Sequence, residues 1–68
     1  MKSNWITFES ASAGDRGCRI LLKADNICEV YELTSHRTRV FIDGSTWVNV
    51  KGDFDSVVKR IAEALIEV

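Results

Sequence analysis

Five short strand-like runs of apolar and polar positions follow one another along this chain, and the pattern then switches to a helical period. Trp5 to Glu9 alternates weakly and predicts a first strand, at about 5–9. Ser10 to Gly17 is small and polar with two glycines, which predicts a loop or long hairpin turn. A second strand is expected at 18–23, and Ala24 to Asn26 gives a turn because Asp and Asn bond their own backbone locally. Further strands are expected at about 28–34, 38–42 and 46–50, with Ser35 to Arg37 as a short connection and Asp43-Gly44 as a turn pair. A helix follows at about 54–67. Asp53 is placed to cap it, and Asp55 lies in the first turn where the helix dipole favours anions. Phe54, Val57, Val58, Ile61, Leu65 and Val68 form one apolar stripe at i, i+3, i+4 spacing. Asp55, Ser56, Lys59, Arg60, Glu63 and Glu67 fall opposite.

Such a helix needs a sheet to cover. The expected fold is therefore α+β. It is one domain over residues 1–68, with a five-stranded, mainly antiparallel sheet and the C-terminal amphipathic helix on one face. Side chains alternate across a strand, so parity assigns the faces. Ile20, Leu22, Val40, Ile42, Val48 and Val50 form the expected inner set. Leu21, Phe41 and Trp47 fall outside, among Arg19, Lys23, Arg39 and Lys51. The hairpin over 38–50 leaves two registers open. A two-residue Asp43-Gly44 turn pairs Val40 with Trp47 and turns Trp47 inward. A three-residue loop or a bulge gives Val48 and Val50 to the core instead, and is preferred for that reason.

Under either register, large apolar groups lack a partner within so short a chain, and exposed apolar patches of useful size mark interfaces. Leu21, Arg39, Phe41, Trp47, Arg19 and Lys51 are the candidate interaction surface. A homo-oligomer covering that face, or a sheet edge, is expected. The competing arrangement folds the Ser10 to Gly17 loop over it. The same cations and aromatics also suit a platform for single-stranded nucleic acid, where bases stack on rings and cations hold phosphates.

Charge weighs against that alternative. The chain has 68 residues and a net charge of −1, where a nucleic-acid binder carries a basic excess. A chain this short buries only about 60% of the surface its unfolded form exposes, so it relies on packing or oligomerisation. Two cysteines and one histidine are too few for a disulfide scaffold or a closed zinc site. Cys18 and Cys28 occupy strand-like positions and are expected as buried thiols. His36 sits in a polar connector without a nucleophile or carboxylate at a recognisable spacing. The acidic residues read as turn and cap residues, and Gly14 to Gly17 neither follows a nucleotide-fold strand nor opens a helix. No enzyme, cofactor or metal is expected. The N-terminus lacks a signal-peptide run, and no segment approaches the roughly eighteen apolar residues of a membrane span. The expectation is a cytoplasmic protein that does not engage membranes.

From Ile20 onward the pattern resembles the small FlbD-type flagellar and swarming-motility proteins. The resemblance runs through Ile20 to Ile27, Val30 to Glu32, Thr38 to Gly44, Val48 to Val50 and the helix opening Phe54 to Val58. The chain departs from that pattern at Ser10 to Gly17 and at Trp47. The resemblance implies a non-catalytic role in motility, and similar short chains occur among phage and mobile-element proteins. The reading is a small self-associating interaction domain that binds a protein partner.

Overall fold

The alternating runs become five strands, each one side of a hairpin. The computed structural model describes residues 4–12, 14 and 17–66. The strands are β1 (Trp5–Glu9), β2 (Arg19–Lys23), β3 (Glu29–Thr34), β4 (Arg37–Phe41) and β5 (Trp47–Lys51), followed by α1 (Phe54–Leu65). A single 3-10 turn, Ala24–Asn26, joins β2 to β3. The expected strand positions hold to within a residue or so. Glu67 and Val68, expected in the last helical turn, lie outside the described residues, as does Asp15 in the loop. The helix ends at Leu65 because Ile66 is already extended, with φ −77° and ψ 125°.

The single five-stranded sheet is a correction. The strands form two antiparallel sheets, β1-β2 and β3-β4-β5. Among the described residues their backbones are joined where Ser10 bridges Val50 and the Ala11 amide donates to the Asn49 carbonyl at 2.9 Å. Geometry supplies the reason. Five strands side by side span about 19 Å, whereas one helix covers about 10 Å. A flat sheet under a 12-residue helix would leave much of its apolar face wet. Splitting the sheet lets the two halves cover each other. Ile6, Phe8 and Leu22 from one sheet join Val40 and Val50 from the other, and Val57 and Ile61 of α1 complete the core with Ala24. Ile20, Ile42 and Val48 pack at its margin, so the inner set lies where parity placed it. The open side of β1 is also met by the helix. Arg60 donates to the Thr7 carbonyl at 2.7 Å and lies over the Phe8 ring.

The hairpin register resolves in favour of the three-residue loop. Val40 pairs with Val48, Phe41 with Trp47, and the Ile42 amide donates to the Thr46 carbonyl at 2.9 Å. Asp43 holds the loop closed, its Oδ1 accepting the amides of Ser45 at 2.9 Å and Thr46 at 2.8 Å. The buried polar side chains are paired. Thr38 donates to the Gly52 carbonyl at 2.9 Å, and Asn4 donates to Asp25 at 2.6 Å. Among the described residues no helix is long and apolar enough to cross a membrane.

Candidate interaction surface

Register lays out the outer face of β3-β4-β5 in rows. The first row is Glu29, Phe41 and Trp47, and the second is Tyr31, Arg39 and Asn49. The third sets Arg37 opposite Lys51. Trp47 is 44% exposed and Tyr31 50%, large values for aromatic side chains in regular strands. The loop after β1 is tied to the edge of β5 at Asn49, and Trp47 stays open to solvent.

These side chains are held by one another. The Arg39 guanidinium carbon sits 3.8 Å from the centre of the Trp47 ring, and its Nε donates to Asn49 Oδ1 at 3.0 Å. A cation over an exposed ring contributes about 0.5–1 kcal/mol. The hydrogen bond fixes the plane of the guanidinium. Tyr31 and Phe41 pack with ring centres 5.4 Å apart and planes tilted by 49°. The cluster therefore presents three rings and a cation in a set geometry, with little side-chain freedom left to lose on docking. The outer rows carry Arg37, Arg39 and Lys51 against Glu29, so this face is cationic on a chain of net charge −1.

Arg39, Phe41 and Trp47 are thus brought together as expected. Leu21 and Arg19 are not with them. They lie on the outer face of β1-β2, where Leu21 (59% exposed) is diagonal to Trp5 (54%). Lys51 stands between the two regions, its Nζ 3.9 Å from Glu9 Oε1. Tyr31 was not expected on the surface. Val30, Tyr31 and Leu33 are all apolar, so β3 shows no clean alternation, and only its pairing with Arg39 reveals the face.

Beyond the third row a cleft of about 640 Å³ opens between the end of β1 and the β3-β4 turn. Glu9, Lys51 and residues 34–37 line it. His36 serves the turn through its backbone. Its amide donates to Thr34 Oγ1 at 3.1 Å and its carbonyl accepts from Gly52 at 2.8 Å. Cys18 and Cys28 are exposed and unbridged rather than buried, since both fall at strand ends outside the core. Among the described residues no group of three His, Cys, Asp or Glu side chains could hold a metal ion. Two carboxyls are perturbed, both for local reasons. The Ser45 and Thr46 amides hold Asp43 below the usual carboxylate value, and hydrogen bonding with Ser56 does the same for Asp53.

The chain matches no family model, no curated protein and no solved structure.

Proposed function

We propose that this chain is a small, non-catalytic, cytoplasmic interaction domain that binds a protein partner on the outer face of β3-β4-β5 and self-associates elsewhere. The cluster of exposed Tyr31 and Trp47 with half-buried Arg39 and Phe41 carries the reading. Trp, Tyr and Arg dominate the energetic centres of protein interfaces, and a preset cluster avoids the entropic cost of ordering them. Self-association is assigned to the Trp5 and Leu21 face of β1-β2. Its face suits a second copy better than its edge. Antiparallel pairing of two β2 strands centred on Leu21 would set Arg19 opposite Lys23 of the second copy, and like charges directly opposed destabilise a ladder. The FlbD-like pattern suggests motility as the setting, with a phage or mobile element as the other context.

One observation favours a second reading. Arg39 stacked on Trp47, with Arg37 and Lys51 beyond, is also the arrangement that holds a single nucleic-acid strand. The net charge of −1 weighs against it.

Capture from the native host with the wild type and with Trp47→Ala tests the reading. A protein retained by the wild type and lost with Trp47→Ala, at unchanged circular dichroism, is the expected result. Recovery of nucleic acid alone would overturn it. Light scattering during size exclusion should show a dimer or larger at high micromolar concentration, and a strict monomer would remove self-association.

A further inference from the structure

We infer that the partner segment is extended and acidic as well as aromatic, with its apolar anchor on the Tyr31, Phe41 and Trp47 rings and its carboxylates at the Arg37, Lys51 and His36 end of the same face. This rests on the docking face proposed above and names the chemistry that fits it.

The outer face changes character along β4. Phe41 lies at one end among the rings, Arg39 in the middle, and Arg37 opposite Lys51 at the other. The four residue steps from Arg37 to Phe41 span about 13 Å, which an extended peptide covers in the same number of steps. The cleft begins where the cations end. Thr34, Ser35 and His36 line it together with Arg37 and Lys51, residue types that can donate to an oxyanion. Two acidic groups oppose this. Glu29 lies at the aromatic end, away from the cleft, and Glu9 is already beside Lys51. The Glu9–Lys51 contact is long, at 3.9 Å, with side chains 46% and 68% exposed. Such pairs are weak, so an incoming carboxylate exchanges with Glu9 at small cost.

Charge decides between the classes of partner. A short acidic segment needs only the local excess of cations around Arg37, Arg39 and Lys51. A nucleic-acid strand carries charge beyond this face and meets a chain that is acidic overall.

The test uses the whole chain and a hexapeptide with tryptophan first, two glutamates last and a serine-glycine spacer between, followed by amide chemical shifts. The expected result is perturbation of both Trp47 and the 34–37 turn, with binding that weakens as salt is raised. Replacing the glutamates by glutamine should weaken binding about tenfold, and by lysine further. The exposed pair Arg37→Gln and Lys51→Gln should remove the preference for glutamate while leaving circular dichroism unchanged. Equal binding of the glutamate and glutamine peptides, still lost with Trp47→Ala, would sink the acidic requirement and leave the docking face standing. Binding that survives Trp47→Ala, or no binding of any peptide at millimolar concentration, would sink both. Displacement of the peptide by an equimolar oligothymidylate would replace both with the nucleic-acid reading.

Discussion

At Gly52 the chain leaves β5 and enters the helix with φ at +133°, an angle that side chains rarely tolerate. Its amide donates to His36 and its carbonyl accepts from buried Thr38, so the backbone cannot swing away from the strain. A Cβ here would also stand 3.3 Å from Val57 Cγ2, inside the core. Gly52→Ala is therefore expected to cost about 1–3 kcal/mol, read as a lower urea midpoint at unchanged slope. No such demand shows in the sequence, where Lys51-Gly-Asp53 reads only as the end of a strand before a cap. The surface residues were more legible. Parity alone set Arg39, Phe41 and Trp47 on one face. What parity lacks is the neighbour across the ladder, so the stacking of Arg39 on Trp47 and the presence of Tyr31 appear only with the register.

Among the elements, α1 was the most legible, because cap and stripe agree. Asp53 accepts the Ser56 amide, and Val57 and Ile61 of the stripe are buried, while Val58 and Leu65 at its margin stay exposed. Its far end was less so. No glycine follows the stripe to mark a stop, and the apolar spacing continues past Leu65 where the backbone has already turned. The two local carboxylate motifs, the cap at Asp53 and the loop clasp at Asp43, carry a pH dependence. Both carboxyls are held below their ordinary value of 3.8, Asp53 chiefly by Ser56 and Asp43 chiefly by the Ser45 amide. The folded state therefore favours their charged forms. Their stabilisation is present above that ordinary value and is lost as pH falls through the lower folded values. Thermal stability should change little from neutral pH to about 5 and fall below about 4. Asp53→Asn keeps a capping side chain without the titration, and a shallower acid limb in that variant is the expected check. An unchanged limb would remove Asp53 from the account.

For the whole molecule, the core is small and shared by three layers. Phe8 is 2% exposed and is the largest side chain in that core, with Arg60 of the helix over its ring. Phe8→Ala typically costs about 3–5 kcal/mol. A domain of this size holds roughly 3–10 kcal/mol in all, at 0.05–0.15 kcal/mol per residue. The variant should lose most of its cooperative melting, followed by near-ultraviolet circular dichroism. A melting temperature near the wild type's would show that the sheets close without the ring. The division into two sheets was not legible in the sequence. Five strand-like runs and one helix are compatible with one sheet or two. The choice is made by how much apolar face one helix can cover, a property of the assembled layers and not of any run.

That division has a consequence for how the chain could exchange a part with a second copy. Strand pairing within each sheet is local, confined to residues 5–23 on one side and 29–51 on the other. A single covalent link, residues 24–28, joins the two units. If that link straightens, the N-terminal hairpin of one chain can complete the core of another with the same Ser10 and Phe8 contacts it makes at home. The exchanged and closed forms then differ only in the conformation of the link and in concentration. Ala24, buried in the core, Asp25, clasped by Asn4, and the Ile27 and Cys28 amides, which donate to the Ala24 and Phe41 carbonyls, hold the link bent and keep the chain closed on itself.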